Sequence, residues 1–213
     1  MKRIRSLRDK NLGSRAFILA NGPSVTAFDL GKCKSDVVIG MNASSLLQES
    51  NNFVMDYYCV SDRRFLTHPE KKKYAFDFVG ENTTCVFRAD LSDLVLRDNT
   101  YFTKALARDG FSFSLDHGFY YGCSTTILAI QLAYYIGCKE IYLLGVDLQY
   151  KKEAPRFYKE STPQIEDSFM SVQIHNLLIA KKALATKGRS IFTCSEDSLV
   201  RPYLEYREFN LLF

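Results

Sequence analysis

Short apolar runs alternate with segments of helical composition along most of the chain. The first run, from Ala16 to Ala20, ends in the turn-forming residues Asn21-Gly22-Pro23-Ser24. This order is typical of a buried strand that leads into a tight turn and the start of a helix. Comparable apolar runs cover residues 37–40, 57–60, 84–87, 140–144 and 190–194. Because their apolar residues are continuous rather than alternating, they favour strands covered on both faces, as in a parallel sheet.

Two longer segments are predicted to be helices. The first extends from Ser124 to Ile136, with Ser124 as the capping residue and Gly137 just after its end. The second extends from Ile174 to Lys187 and ends at Gly188; a glycine after the last turn is a common helix stop. Helices that connect parallel strands make right-handed crossovers. The order of elements therefore predicts a Rossmann-like, doubly wound α/β fold, with a mostly parallel sheet and helices on both faces.

The 213 residues are interpreted as one domain, since domains usually contain about 100–200 residues. We predict a basic amino-terminal arm over residues 1–14 and a single domain over residues 15–213, in which residues 198–213 form a capping helix and an apolar end. Two aromatic-rich segments, residues 90–121 and 150–171, lack clear periodicity. Loops of that length in a compact domain commonly cover a ligand, so both are predicted to be lid segments.

The net charge of +4 comes mostly from residues 1–15, whose charged side chains are Lys2, Arg3, Arg5, Arg8, Asp9, Lys10 and Arg15. Since the remainder is nearly neutral, we predict no nucleic-acid partner. The arm is expected either to be solvated or to contact an anionic lipid surface. No apolar run has the roughly 18 residues of a membrane span, and no apolar signal-peptide segment follows the first charges. The expected location is the cytoplasm, with peripheral contact to the inner membrane as an option.

The cysteines and histidines give no metal-binding pattern. The six cysteines contain no CxxC pair, and the three histidines show no HxxxH or HExxH spacing. Several cysteines lie within apolar runs, where cysteine behaves as a small buried hydrophobic residue. We therefore expect reduced thiols in the core and no dedicated metal site.

Polar residues follow the predicted strands, where ligands bind in open α/β sheets. Gly22 permits close approach of the backbone and Pro23 presets the first helical turn, so that the free amides and Ser24 suit a phosphate. Each position is equally compatible with an ordinary turn or a helix cap. The polar residues at the predicted strand ends are Asn21, Ser24, Asn42, Ser61, Asp62 and Asp147.

Several of these segments together resemble a known family. Asn21-Gly22-Pro23-Ser24, then Met41-Asn42, then Thr125-Thr126 at the start of a helix, and finally the segment from Gly137 to Asp147 resemble the bacterial lipooligosaccharide sialyltransferases of glycosyltransferase family 42. The pattern is also similar to the motility-accessory-factor and hydroxymethylpterin-pyrophosphokinase-like family. The resemblance covers most of residues 15–200. It implies a Rossmann-like fold that holds a CMP-activated sugar as donor substrate, with no cofactor and no metal.

The resemblance also implies which residues contact the nucleotide and which act in catalysis. In those sialyltransferases a histidine takes the proton of the acceptor hydroxyl, and two tyrosines stabilise the departing phosphate in an inverting displacement. His175 and His117 are the candidate bases, and Tyr150 and Tyr158 are the candidate donors to the leaving group. The candidate nucleotide contacts are Asn21, Gly22, Pro23, Ser24, Asn42, Ser61, Asp62, Ser124, Thr125 and Asp147.

The identity of the donor sugar is left open. Gly122 stands near the position where the sialyltransferases carry an arginine, so either sialic acid or a related acidic sugar such as Kdo remains compatible. Two groups of basic residues could hold a sugar carboxylate or a phosphate, although such groups usually form a solvated face. These residues are Arg63, Arg64 and His68 in one group, and Lys151, Lys152 and Arg156 in the other.

The leading hypothesis is transfer of an acidic sugar from a CMP donor to a bacterial surface glycan, as in lipopolysaccharide or capsule biosynthesis. Its partners would be a nucleotide-sugar donor and a glycan or glycolipid acceptor, with a homo-oligomer left open. One alternative is a diphosphokinase or phosphotransferase of the pterin type, which would use ATP with Mg²⁺ bound by clustered carboxylates. The other is a non-catalytic nucleotide-binding module.

Overall fold

An all-parallel sheet forms the centre of the protein in the computed structural model, which describes residues 3–95, 97–150, 154–161, 163–164 and 166–213. Within these residues the sheet has eight strands in the order β5-β4-β3-β2-β1-β6-β7-β8. The strands are β1 (Arg15–Leu19), β2 (Val37–Met41), β3 (Tyr57–Val60), β4 (Thr84–Arg88), β5 (Thr100–Thr103), β6 (Glu140–Leu144), β7 (Ser190–Thr193) and β8 (Glu205–Tyr206).

The strand order reverses between β1 and β6. The chain adds β2 to β5 on one side of β1 and then returns to place β6 on its other side, with Leu19 paired to Leu144 at the carboxyl ends. Such a reversal leaves a crevice at the carboxyl ends of the two central strands, because the connections leave in opposite directions. The topology thus fixes the place where a ligand site is expected.

Helices cover both faces of the sheet, so the predicted Rossmann-like, doubly wound fold is confirmed. Two of them, α4 and α5, pack on one face, and α1, α2 and α3 pack on the other. Successive strand residues alternate between the two cores, since Phe17 lies in one and Ile18 in the other. The helices are α1 (Leu47–Ser50), α2 (Arg63–Thr67), α3 (Lys71–Phe76), α4 (Thr125–Tyr135) and α5 (Met170–Ala185).

Local capping residues explain the bounds of α4. The Ser124 hydroxyl accepts a hydrogen bond from the Thr126 amide at 3.3 Å, and Gly137 follows the helix with a φ of +104°, which glycine adopts without strain. The second helix, α5, begins at Met170, four residues before the predicted start. Its first turn contains the polar residues Ser171 and Gln173, so the apolar pattern used for the prediction does not include it.

The amino-terminal residues pack on the domain instead of forming a solvated arm. Ile4 and Leu7 are buried in the core. The amides of Asp9, Asn11 and Gly13 donate to the last carbonyls of α4 and the turn after it, at 3.1, 2.7 and 2.9 Å. These carbonyls have no partner within the helix. The segment is therefore a cap on the carboxyl end of α4.

Residues 90–121 also differ from the predicted lid. They contain β5, which extends the sheet beside β4, and a bridge between Ala105 and Phe119. Phe111 and Phe113 pack edge-on against Tyr134 of α4. This segment covers a helix whose residues are apolar on nearly every side, which is why it is rich in aromatic residues.

The last residues form a short strand and a 3-10 helix rather than the predicted capping helix. β8 pairs with β7, and a 3-10 helix covers Phe209–Leu212. Among the described residues, no helix is long and apolar enough to cross a membrane. The six cysteines are free thiols, and all except the half-buried Cys123 are buried.

Candidate functional site

A cleft of about 620 Å³ lies at the carboxyl ends of the strands, beside the β1–β6 reversal. Of the residues predicted to contact a nucleotide, the following line it: Asn21, Gly22, Asn42, Ser61, Asp62, Ser124, Thr125 and Asp147. A second groove of about 670 Å³ lies near the starts of β4 and β5. We place the functional site in the first cleft, since polar side chains from several strand ends converge there.

Asn21 and Asn42 line the cleft, and each has one side-chain oxygen that lacks a hydrogen-bond partner among the described residues. Both oxygens are buried. Asn42 has a φ of +49°, and the Tyr58 hydroxyl donates to its carbonyl at 2.5 Å, so its backbone is held in place. A buried acceptor without a partner costs about 1–3 kcal/mol. A ligand with hydrogen-bond donors would remove that cost.

Asp147 and Ser24, by contrast, satisfy each other. The Asp147 carboxylate accepts hydrogen bonds from the Ser24 amide at 2.9 Å and from the Ser24 hydroxyl, and Asp147 is only 8% exposed. The Ser24 hydroxyl also lies 2.7 Å from that of Ser195. Ser24 and Pro23 are absent from the cleft lining. The amide that the sequence analysis assigned to a phosphate is therefore occupied by a carboxylate of the protein.

Gly22 is required by the close approach of two backbone turns. Its amide donates to the Gly145 carbonyl at 2.8 Å, and a Cβ atom at this position would lie 2.5 Å from the same oxygen. A side chain would thus separate the turn after β1 from the turn after β6. The sequence analysis had assigned this close approach to a ligand.

The floor of the cleft is formed by the end of β3 and the start of α4. The hydroxyls of Ser61 and Thr125 lie 2.8 Å apart, and both residues are 6% exposed. Because Ser124 caps α4 from the cleft side, the positive end of the helix dipole points into the cleft. This end favours an anionic group near Thr125.

Asp62 is engaged by a neighbouring arginine. Its carboxylate accepts from the Arg64 amide at 2.9 Å and from the Arg64 guanidinium at 2.8 Å. Burial raises the pKa of Asp62, but the hydrogen bonds and charge of Arg64 outweigh burial and leave the pKa below its ordinary value. Arg63 pairs with Asp93 at 2.7 Å, outside the cleft. The Asp62 carboxylate is therefore ionised and paired with Arg64.

Basic side chains from the segment after β3, the end of β4 and the late loop also line the cleft, namely Arg64, His68, Lys71, Arg88 and Arg156. Lys71 pairs with Glu160 at 2.7 Å, and Arg88 pairs with Asp90 at 2.5 Å. The sequence analysis missed Lys71 and Arg88, although Arg88 directly follows an apolar run. Lys151 and Lys152 lie outside the described residues.

Tyr150 and Tyr158, the candidate leaving-group donors, line the cleft from the loop after β6. Their hydroxyls donate to Asp167 at 3.0 Å and to Glu160 at 3.3 Å. Burial raises the pKa of both phenols above the ordinary value. Both therefore keep their protons at neutral pH, and each would donate to a bound anion by exchanging its carboxylate partner for the anion. The Arg156 guanidinium lies 4.9 Å from the centre of the Tyr150 ring.

Neither candidate histidine lies in the cleft. His175 is exposed on α5, whereas Phe169 and Gln173 line the cleft. Two positions along a helix correspond to a rotation of roughly 200°, so His175 points away from the cleft that Gln173 lines. His117 is exposed in a turn next to Asp116, which binds Tyr135 at the far end of α4. That end of the helix lies at the opposite edge of the sheet. Neither His175 nor His117 is therefore placed to act as the general base that was predicted from the sequence.

His68 is the histidine that lines the cleft. Its Nδ1 atom accepts from the Glu70 amide at 3.2 Å, so the proton of the neutral ring lies on Nε2. His68 can thus donate a hydrogen bond to a ligand in its neutral form. From the sequence, His68 was grouped with Arg63 and Arg64 as residues that could hold a sugar carboxylate or a phosphate, but it was not among the candidate bases.

Gln173 and Asp167 form a polar pair that the sequence analysis missed. Gln173 is only 6% exposed and donates from Nε2 to Asp167 Oδ2 at 2.7 Å. The same carboxylate oxygen accepts from Tyr150. The sequence signal that could have indicated this pair is a glutamine on the buried side of an amphipathic helix. Among the described residues, no group of three or more His, Cys, Asp or Glu side chains is placed to hold a metal ion.

Comparisons with solved structures agree with this fold. The chain is similar to the MAf glycosyltransferase from Magnetospirillum magneticum AMB-1, with 16% identity and a TM-score of 0.65, over 94% of this chain and 34% of the other. It therefore spans about a third of that protein. It is also similar to the Campylobacter jejuni sialyltransferase CstII in complex with a substrate analogue, cytidine-5'-monophosphate, with 12% identity and a TM-score of 0.57, over 92% and 86% of the two chains.

A third structure, the apo form of an alpha-2,3-sialyltransferase from Campylobacter jejuni, has 13% identity and a TM-score of 0.53, over 97% of this chain and 84% of the other. At these identities the similarity shows a shared fold. A search of curated proteins gave no match. A family model described as "MptE-like: 6-hydroxymethylpterin diphosphokinase MptE-like" matches residues 1–153. The predicted relationship is thus confirmed, and the chain belongs to the MptE-like family.

Proposed function

We propose that this protein is a glycosyltransferase that takes an acidic sugar from a CMP-activated donor. The unsatisfied side-chain oxygens of Asn21 and Asn42, which line the cleft, carry this proposal. The cytosine amino group and the ribose hydroxyls of CMP are hydrogen-bond donors of the kind that these buried oxygens lack. The proposal is supported by the shared fold with CstII, whose structure contains cytidine-5'-monophosphate, and with the MAf glycosyltransferase.

The donor phosphate would lie between the start of α4 and the late loop. The positive end of the α4 dipole and the Thr125 hydroxyl attract an anion, and the phenols of Tyr150 and Tyr158 are protonated donors on the facing wall. During transfer an acceptor hydroxyl oxygen forms a bond to the anomeric carbon while the bond to the phosphate oxygen breaks. Hydrogen bonds from the phenols would stabilise the charge that develops on this oxygen.

The acceptor proton would pass to a carboxylate rather than to a histidine. Asp167 lines the cleft beside Tyr150 and Gln173, and Glu166 precedes it on the same wall. A carboxylate is a competent general base when it is held close to the hydroxyl that it deprotonates. The Arg156 guanidinium, which lines the cleft, would provide charge for the carboxylate of the acidic sugar. No metal ion takes part in this scheme.

The description of the family contains the words "6-hydroxymethylpterin diphosphokinase". A pterin diphosphokinase is therefore the second candidate function. Transfer of diphosphate from ATP requires Mg²⁺, which prefers carboxylate ligands and water. The carboxylates at the strand ends are already engaged, because Asp147 binds Ser24 and Asp62 binds Arg64. We therefore prefer the CMP-sugar proposal. A non-catalytic module that binds CMP without turnover is the remaining alternative.

The first prediction concerns binding of CMP. We expect CMP to raise the melting temperature in the presence of EDTA, since a ligand that binds the folded state stabilises it. Asn21→Ala should weaken CMP binding about tenfold or more in calorimetry, which corresponds to about 1.4 kcal/mol. The unliganded variant should be as stable as the wild type or slightly more stable, because it loses an unsatisfied buried oxygen.

Asn52→Ala is the matched control, since Asn52 is exposed and lies outside the cleft lining. Its CMP affinity should equal that of the wild type. Stabilisation by ATP with Mg²⁺ but not by CMP would favour the diphosphokinase instead. Release of CMP from CMP-sialic acid or CMP-Kdo in the presence of glycan acceptors then separates an enzyme from a binding module, which would bind CMP and release none.

A further inference from the structure

We propose that the edge of the sheet opposite the cleft carries a docking surface for anionic lipid membranes. This amino-edge surface consists of basic and exposed apolar side chains at the starts of the central strands, namely Lys10, Leu12, Lys139, Lys187, Arg189 and Leu211. The inference does not depend on the proposed function. From the sequence we expected a basic arm that is either solvated or in contact with anionic lipid, whereas the proposed surface is folded and includes distant parts of the chain.

Several contacts place these residues around the carboxyl end of α4. The Gly13 amide donates to the Gly137 carbonyl at 2.9 Å, and the Lys139 amide donates to the Ser14 carbonyl at 2.8 Å. These bonds hold Lys10 and Leu12 beside Lys139. The amino-terminal segment and the start of β6 therefore form one continuous surface.

The segment before β7 extends this surface on the other side of the helix end. The Arg189 guanidinium donates to the carbonyls of Tyr134 and Cys138 at 2.6 and 3.0 Å, and it lies 4.3 Å from the centre of the Tyr134 ring. The Lys187 ammonium lies 5.2 Å from the centre of the Phe113 ring. Both cations are thus held at the helix end.

Exposed apolar side chains lie among these cations. Leu12 is 73% exposed in a turn that ends at Gly13, and Phe113 is 37% exposed beside Lys187. Leu211 is 83% exposed and belongs to the carboxyl-terminal 3-10 helix. This helix is fixed to the start of β1, because the Arg15 guanidinium donates to the Leu212 carbonyl at 2.7 Å. Exposed apolar side chains bordered by basic residues suit the membrane interface, as they do on interfacial amphipathic helices.

The charge of the surface favours anionic lipid. Among the described residues, the ion pairs do not include Lys10, Lys139 or Lys187. Asp9 and Glu140 lie next to Lys10 and Lys139 in the sequence, whereas no acidic residue lies between Asp167 and Glu196, around Lys187 and Arg189. The nearby Asp116 is already paired with Arg8 at 3.2 Å. Free lysines near a membrane are attracted by its negative surface potential. Nucleic acid would be attracted by the same charges but would gain little from Leu12 and Leu211.

The geometry also fixes how the bound protein would be oriented. The central strands have five residues each and therefore separate the two sheet edges by about 17 Å. With the amino edge on the membrane, the cleft opens away from the lipid. Donor and acceptor would then reach the cleft from solution.

Sedimentation with lipid vesicles tests the proposal. The full chain should bind vesicles of phosphatidylcholine with about 30% phosphatidylglycerol, should bind pure phosphatidylcholine at least tenfold less, and should be released by about 0.5 M salt. Leu12→Asp combined with Leu211→Asp should reduce binding at least tenfold. Lys10→Glu combined with Lys187→Glu should do the same.

The matched control is Leu199→Asp. Leu199 is 41% exposed and lies at the carboxyl edge, where its amide donates to the Asp147 carbonyl. This variant should bind vesicles like the wild type. Circular dichroism of every variant excludes loss of folding as the cause of a change. The proposal is wrong if the wild type does not distinguish the two vesicle types, if Leu199→Asp has an equal effect, or if the protein binds nucleic acid but not vesicles.

Discussion

Asp147 and Asn21 follow the two central strands, yet they differ in what the folded protein already provides for them. The hydrogen bonds of Asp147 are filled by Ser24, whereas the oxygens of Asn21 and Asn42 have no partner among the residues described. The sequence predicted all of these residues as nucleotide contacts because each is polar and follows a strand. To tell structural residues from ligand-binding ones, their hydrogen-bond partners must be known. Ser24, the partner of Asp147, lies more than a hundred positions away from it in the chain.

The close packing around Gly22 leads to a testable prediction. Gly22→Ala should reduce the free energy of unfolding by about 1–3 kcal/mol, because the added methyl group would enter the contact with Gly145 and Asp147. The measurement is urea unfolding followed by circular dichroism. Gly80→Ala is the control, since the nearest atom to its added Cβ is at 3.5 Å, and it should change stability by less than about 1 kcal/mol. Equal stability of both variants would contradict this account of Gly22.

At the scale of elements, helices and strands were predicted best where the signal is local. The bounds of α4 agree with the prediction to within one residue because its cap and its glycine stop are both visible in the sequence. The amino-terminal turn of α5 was missed since Ser171 and Gln173 interrupt its apolar pattern. β5 was missed because it lies in a segment without periodicity, and it is a strand because β4 provides a pairing edge.

The orientation of α5 predicts different effects for substitutions of His175 and Gln173. His175→Ala should leave the rate of sugar transfer within about twofold of the wild type, since His175 is exposed outside the cleft lining. Gln173→Ala should lower kcat at least tenfold, because it removes the hydrogen bond that positions Asp167 beside Tyr150. Steady-state kinetics with a CMP-sugar measures both. Loss of activity in His175→Ala at unchanged stability would restore histidine as the base.

At the scale of the whole molecule, the charges are distributed over two opposite edges of the sheet. Ion pairs occur at both edges, such as that of Lys71 and Glu160 in the cleft and that of Arg8 and Asp116 at the amino edge. The lysines of the amino edge take part in none of the ion pairs among the described residues. The sequence placed the net charge of +4 mostly in the first residues. Folding combines these residues with others from the segments before β6 and β7.

Asp116 connects the amino-terminal segment to α4, and its ionisation gives a pH dependence. Burial raises its pKa, but hydrogen bonds from Tyr135, Arg8 and Ser114 and the charge of Arg8 outweigh burial and leave the pKa below the ordinary value of 3.8. A carboxylate with a lowered pKa in the folded state stabilises the protein above its unfolded pKa. This stabilisation is lost as the pH falls through the lower, folded pKa.

Asp116→Asn should therefore lower the free energy of unfolding most above about pH 5, and the difference from the wild type should shrink towards about pH 2. Urea unfolding at a series of pH values measures this difference. Asp77→Asn, at an exposed residue after α3, is the control and should show a small difference at every pH. A difference for Asp116→Asn that does not change with pH would rule out the ion pair as its source.

The sequence by itself determined six of the eight described strands, the long helices and the edge at which polar strand ends meet, because apolar runs, caps and glycine stops act over a few neighbouring residues. Only the tertiary structure decided which of those polar residues remain unsatisfied, which face of α5 meets the cleft, and how Leu12 comes to lie beside Lys139. These properties depend on contacts between residues that are far apart in the chain. No local pattern contains them, since they arise when the sheet brings its strands together.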